Sequence, residues 1–408
     1  MYSYSRERPS EDTTALLIKP FLFPRQRVLE RAQQPHLLEV LPNMSNTPDT
    51  PLASRSQSVP NSGPAHRPAL VADAVFEGGG MRALAHIGAV AVAEERGYRW
   101  YRLAGTSAGA MIAALVAAGY SAAELHAIMG AIDYRRFADD AADDRLHLHQ
   151  VSRLLFKLGL HTGVELEHFM RELLQARGLR CFGDLRLPPA KEPAVDYSPA
   201  YRLTVVAADV SRRRLLRLPQ DLHSERACYG LDPDQLDIAR AVRMSASIPF
   251  FYVPVTLQRP DGGLSYIVDG GLVSGFPLFA LLPSDGELAR PLLGFRLCEG
   301  DSQDDGDGHD KDADRPEEPI FLPLSNLVAF SQALLETMLA AHDRFALEQR
   351  ACGMGAIHAI SIPVGKIGAT RFDLSRGEIE ALYRQGRIAA ERFFAGLPAE
   401  QASPGARA

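Results

Sequence analysis

Three short stretches hold the residue types that ester chemistry needs. A serine stands between glycines in GTSAG (105–109), an aspartate leads two glycines in VDGG (268–271), and three glycines with an arginine form GGGMR (78–82). Ser107 becomes a nucleophile only if its hydroxyl proton has an acceptor, and Asp269 can take that proton directly if burial raises its pKa toward neutrality. The attacked carbonyl then needs donors for its developing negative charge. Gly78, Gly79 and Gly80 can turn successive N–H groups toward one point without a Cβ penalty, and Met81 and Arg82 extend the same loop, Arg82 with a positive charge.

Such groups work only if strands and helices hold them. The apolar run 72–77 reads as a strand entering the glycine loop, followed by a helix over 81–96, a short strand over 100–104 and a helix over 108–118. Ser107 then sits on a sharp strand-to-helix turn at a positive helix end. Gly105 and Gly109 leave that turn free of side chains that would clash with the neighbouring strand and helix. Further helices to about 177 lead to a strand at YRLTVVAADV (201–210), then SYIVDGGL (265–272), PLLGFRLC (291–298) and AIHAISIPV (356–364). A helix is read between the last two, over 325–347, with Leu327, Leu334, Met338 and Phe345 on one stripe. Strands separated by helices imply an α/β fold with a mainly parallel sheet covered on its faces. Asp269 falls where an apolar strand ends, and Gly270 and Gly271 let the backbone turn away.

Other uses of the glycine loop fail on particular residues. Gly78, Gly80 and Ala83 fit the dinucleotide fingerprint, but no acidic residue ends the next strand to hold a ribose. No Gly-Lys-Ser/Thr follows, which excludes a Walker loop. A histidine-based triad would draw on His342 or His358 downstream, and the 27 residues from Gly80 to Ser107 are short for that architecture. His86, one helical turn past the loop, reads as packing beside the site.

The 408 residues, 46% of them hydrophobic, are enough for one large α/β domain with tails, and a soluble globular protein is expected. Residues 1–70 hold ten of the 28 prolines among polar residues and read as a disordered tail; residues 396–408 read as a second one. The hydrolase domain is expected over 71–395, interrupted at 299–319 by an acidic loop with ten acidic and two basic residues. Without that loop the formal charge of -6 becomes about +2, so no nucleic-acid surface is indicated. Cys181, Cys228, Cys298 and Cys352 show no metal or redox spacing, and no metal is expected. Neither a Sec signal nor a transmembrane helix is read, which places the protein in the cytoplasm or peripherally on a membrane.

The order of these motifs resembles the patatin-like phospholipase family: GGGxR, GTSAG shortly after it, and DGG well downstream. MSASIPFFYVPV (244–255) also looks like that family's approach to the DGG strand. The resemblance spans about 71–395. It implies a three-layer α/β/α fold and a Ser-Asp dyad hydrolysing fatty-acyl esters of lipids, with Ser107 as nucleophile, Asp269 as base, and Gly78 to Arg82 as oxyanion hole. It implies no cofactor, a phospholipid or lysophospholipid substrate at a membrane or micelle surface, and room for a protein activator. The alternative is an idle lipid-binding or regulatory module of the same fold. Ile248, Phe250, Phe251, Tyr252 and Val253 are candidates for an acyl channel, and residues 151–169 for a lid or interfacial helix. Two positions depart from the family pattern: Ala83 stands where glycine is usual, and Gly275 where asparagine is usual.

Overall fold

The strands of this chain form where β-branched and apolar residues run unbroken, because most of them are covered on both faces. The computed structural model describes residues 70–138, 158–188, 201–222, 229–282, 288–298, 357–365 and 367–397, all within one unit, Asn61–Ala408. The strands are β1 Leu70–Phe76, β2 Tyr98–Thr106, β3 Gly159–His161, β4 Leu203–Asp209, β5 Arg214–Leu218, β6 Phe250–Tyr252, β7 Val255–Gln258, β8 Leu264–Asp269, β9 Leu292–Cys298 and β10 Ile357–Pro363. The α-helices are α1 Ala85–Glu95, α2 Ala108–Ala117, α3 Ala122–Ala131, α4 Val164–Ala176, α5 Ile238–Ser245 and α6 Arg376–Gly396.

The central sheet runs β10-β9-β1-β2-β4-β8-β7, with β5 also paired to β4. From β10 to β4 every neighbouring pair is parallel, whereas β8 lies antiparallel on β4, and β7 on β8. The expected mainly parallel α/β sheet is therefore present, with an antiparallel edge. Alternation along β1 divides the core. Phe76 meets His86 of α1, while Val75 packs on the other face with Phe276, Leu278 and Leu281. Helix α1 packs against α6, and α2 lies on β1, β2 and β4.

Several sequence expectations shift. The helix expected over 81–96 opens as a 3-10 turn, Gly80–Leu84, in which the Arg82 N–H bonds the Gly79 carbonyl at 3.2 Å; α1 begins only at Ala85. The strand expected over 265–272 stops at Asp269, whose carboxylate caps the next turn by accepting the Gly271 N–H at 2.7 Å. Residues 151–169 are not one helix. From 158 onward they form β3, a left-handed turn at Gly163 (φ 67°), and the start of α4, with Leu166 and Phe169 buried. The tail to residue 69, the acidic loop 299–319, the helix read over 325–347 with His342, and residues 398–408 lie outside the described residues. Within them, helix α6 reaches Gly396, one residue past the expected domain boundary.

A buried ion pair ties β1 to β2. Asp73 on β1 accepts the Arg102 N–H at 3.0 Å and Nε–H at 2.9 Å and also meets Nη2, which reaches the Leu281 carbonyl at 3.3 Å. Asp73→Ala would strand a largely buried guanidinium. Urea unfolding should show a loss of about 3 kcal/mol, with little change in the site.

Candidate active site

The elbow that carries Ser107 exists because glycines on either side of it allow backbones to touch. A Cβ on Gly105 would overlap the Gly109 carbonyl, and one on Gly109 would overlap the Phe76 and Glu77 carbonyls. Ser107 itself is held at φ 55°, ψ -128°, a backbone conformation rare for a residue with a side chain, at the N-cap of α2. Its N–H donates to Ser245 Oγ at 2.8 Å, and Ser245 Oγ donates in turn to the Val206 carbonyl. The strained turn is thus fastened to the end of α5 and to β4.

From this turn, Ser107 Oγ donates to Asp269 Oδ2 at 2.6 Å. Asp269 arrives from β8, which pairs Asp269 with Ala207, one residue beyond the Thr106–Val206 pair of β2 and β4. The Thr106 hydroxyl also donates to the Ser274 carbonyl at 3.0 Å, clamping the elbow to the segment after DGG. A side chain at Gly270 would overlap the Val206 carbonyl, so that glycine permits close approach of this turn to β4.

Burial pushes the Asp269 carboxyl up to about 6, and the bonds from Ser107 and Gly271 and the charge of Arg243 keep it from rising further. Arg243 is buried on α5. It donates to the Thr162 carbonyl at 2.7 Å, the Val253 carbonyl at 2.9 Å and Ser247 Oγ, and lies 4.7 Å above the Tyr252 ring. The Ser247 carbonyl accepts the Asp269 N–H at 2.9 Å. A carboxylate near neutrality, hydrogen-bonded to a serine hydroxyl, is equipped to accept its proton.

The glycine loop divides its donors unequally. The N–H groups of Gly78, Met81 and Arg82 are used by the carbonyls of Gly275 (3.0 Å), Ala369 (3.0 Å) and Gly79 (3.2 Å). Gly79 and Gly80 have no backbone acceptor among the described residues, and neither does Ala108, the first residue of α2 after Ser107. These three amides are the donors available to an oxyanion. Gly80 requires its glycine, since it sits at φ 55° and a Cβ there would overlap the Ala369 carbonyl. Arg82 instead clasps the loop, with Nε–H donating to the Gly79 carbonyl at 3.3 Å.

His86 is fully buried, and its Nε2 lies 2.9 Å from the Glu77 carbonyl, an arrangement that puts the ring proton on Nε2 and leaves Nδ1 bare. Burial pushes its pKa down to about 4, so it is neutral and steadies the entry to the loop. His358 lies half-buried on β10 beside Phe393.

Ser107 opens into an apolar cleft walled by Met111, Ile112, Met129, Phe137, Leu166 and their neighbours. Of the five residues expected to line an acyl channel, Ile248 and Tyr252 border this cleft and Phe250, Phe251 and Val253 do not; Phe251 stacks on Phe372, itself a cleft residue. Ala83 is buried in the cleft wall, where glycine would leave less apolar surface. The Gly275 carbonyl that holds Gly78 is a backbone group, so that contact does not need an asparagine side chain.

Sequence reading missed Ser245, Arg243, Ser247, the Ala108 amide and Phe372. A signal for the first two was present: Asp237 is an N-cap residue ahead of IARAVRMS, and the helix it starts, α5, delivers Arg243 and Ser245 to the site. Phe372 comes from the far end of the chain, and nothing local announces it.

Residues 74–282 match the family model described as patatin-like phospholipase. The chain is 35% identical over 322 residues to the uncharacterized protein YqhO of Bacillus subtilis (strain 168), an alignment covering 79% of this chain and 97% of that one. Among solved structures it is similar to VipD from Legionella pneumophila (TM-score 0.40, 15% identity, 82% of this chain and 67% of that chain). It is also similar to the ExoU–SpcU complex from the type III secretion system of Pseudomonas aeruginosa (TM-score 0.39, 15% identity, 89% of this chain and 62% of that chain). With a family model matched across half its length and a relative aligned over most of it, this chain belongs to the patatin-like phospholipase family.

Proposed function

We propose that the protein hydrolyses fatty-acyl esters of phospholipids or lysophospholipids through an acyl-Ser107 intermediate, with Asp269 as general base. The observation that carries this reading is the 2.6 Å hydrogen bond from Ser107 Oγ to Asp269 Oδ2 on an apolar cleft. An acyl chain in that cleft would bring its ester carbonyl to Ser107. Oγ attacks the carbonyl carbon as its proton passes to Asp269, and the oxyanion takes the amides of Gly79, Gly80 and Ala108. Collapse breaks the bond to the alcohol oxygen, which leaves with the proton from Asp269. A water then gives its proton to Asp269 and attacks the acyl-serine, releasing the fatty acid and restoring Ser107.

Fatty-acid release from phospholipid and lysophospholipid vesicles tests the substrate class. Release from either supports it; a folded protein that cleaves short-chain soluble esters but no lipid would confine the reading to a general esterase.

Ser245 supplies a second expectation. Ser245→Ala removes the only side-chain anchor of the Ser107 amide among the described residues and leaves two buried backbone groups short of a partner. The kcat should fall about tenfold to a hundredfold, with KM for a soluble ester nearly unchanged, because the cleft walls are untouched. Steady-state kinetics on a short-chain ester checks this.

A further inference from the structure

The cleft has an inner chamber and a rim. Met129, Tyr134, Phe137, Leu166 and Tyr252 are buried, whereas Gly80, Ala108, Met111, Ile248 and Phe372 keep part of their surface exposed. Gly80 and Ala108, two of the amides available to an oxyanion, thus lie where the chamber meets the rim. An acyl chain that runs inward from Ser107 leaves its alcohol portion at the rim, against Met111, Ile248 and Phe372.

Phe372 stands there on a strap that other elements hold in place. The strap, residues 367–375, lies beyond the residues 74–282 matched by the family model. Near one end the Ala369 carbonyl accepts the Met81 N–H at 3.0 Å. At the other, Ser375 caps α6 in a capping box with Glu378. Helix α6 meets α1 backbone to backbone, since a Cβ on Gly88 would overlap the Tyr383 carbonyl and one on Gly386 the Ala85 carbonyl. Because α1 follows directly on the glycine loop, strap and loop keep a fixed relation. The Phe372 ring is braced by Phe251, at 5.5 Å between centroids, and Phe251 by His161 at 4.5 Å.

This lining suits hydrocarbon on both sides of the ester. None of the described residues around the cleft is charged. The Tyr134 and Tyr252 hydroxyls donate to the Met129 carbonyl at 2.7 Å and the Phe137 carbonyl at 2.9 Å, so both are engaged by the protein. The charges flanking Phe372 are turned to other charges: Arg371 pairs with Asp373 at 3.2 Å and with Glu378 at 2.8 Å. A glycerophosphocholine leaving group pressed against Phe372 and Ile248 would give up hydration without a partner. A second acyl chain there would instead take its own and the rim's apolar surface out of water.

We infer that Phe372, with Ile248 beside it, is a specificity-determining residue that makes diacyl phospholipids better substrates than lysophospholipids. The inference rests on the proposed hydrolase reading and narrows its substrate class.

The experiment compares dihexanoyl phosphatidylcholine with hexanoyl lysophosphatidylcholine, both as monomers in solution, as substrates of the full chain. Wild type should favour the diacyl lipid about tenfold in kcat/KM. Phe372→Ala should bring that ratio close to unity, and Phe372→Leu should keep most of it. Both rates are read on one preparation, so a partly unfolded variant lowers them together and leaves the ratio intact. A wild-type preference for the lysolipid, or a ratio that Phe372→Ala leaves unchanged, would overturn the assignment and leave the hydrolase reading standing. Titration calorimetry of the same two lipids on Ser107→Ala reads the selectivity without catalysis. Tighter binding of the diacyl lipid, lost when Phe372→Ala is added, in a protein that cleaves no ester would keep the rim's selectivity and remove the hydrolase reading. Equal binding of the two lipids, or none, in such a protein would remove both.

Discussion

Asp269→Asn should abolish ester hydrolysis, by about a thousandfold or more in kcat, and at the same time make the protein more stable. The amide keeps the geometry, since its oxygen can accept the Gly271 N–H and its nitrogen can donate to Ser107 Oγ. What it lacks is basicity. The stability gain follows from linkage. Burial raises the Asp269 pKa from its ordinary value of 3.8 to about 6, so the folded state binds a proton that the unfolded state has released. The stability associated with that proton is present below pH 4 and lost as pH rises through 6, and above it the folded protein carries a buried charge worth up to about 3 kcal/mol. Asparagine removes that burden. The variant should therefore gain stability at pH 8 and show no gain at pH 3.5 to 4, as read by urea unfolding at the two values. In wild type the same ionisation should give kcat/KM an ascending limb with its midpoint near pH 6. Near-normal activity in Asp269→Asn would mean that another group is the base.

Ser107→Ala should lose activity on lipid and soluble esters alike, by about ten-thousandfold, because the oxyanion donors alone do not supply a nucleophile. Ser107→Gly should be equally inactive yet more stable by about 1 kcal/mol. At φ 55° and ψ -128° the serine pays a steric cost that glycine avoids. Paired thermal melts of the two variants check the difference. A serine kept at a strained turn where glycine would be more comfortable is what a function of the hydroxyl predicts.

The site was legible in the sequence where chemistry depends on local pattern. GTSAG announced its turn because two glycines at fixed offsets from Ser107 leave room for the backbones of β1 and α2. Asp269 was legible only in combination with GTSAG and the glycine loop, since an aspartate opening an Asp-Gly turn is common by itself, and its carboxylate does cap such a turn here. The sequence suggested the loop as a donor site but not which of its amides are already taken: the carbonyls that occupy Gly78 and Met81 come from Gly275 and Ala369, far away in sequence. The antiparallel edge escaped notice for a related reason. β5 carries Arg214 and Arg217 among its leucines, and no strand was read there; it is a strand because β4 pairs with it. Arg243 and Ser245 fell inside a short helix that turns these two polar residues inward while Arg240 faces out, so its inward face is not wholly apolar.

The central claim is that Ser107 is a nucleophile activated by Asp269. Peptide mass mapping after treatment with a fluorophosphonate ester tests it most directly, because the adduct marks the attacking atom whatever the natural lipid is. A single phosphonyl adduct on Ser107, absent from Ser107→Ala and strongly slowed in Asp269→Asn, is the predicted result. A folded wild-type protein that takes up no probe, or carries the adduct on another residue, would contradict it.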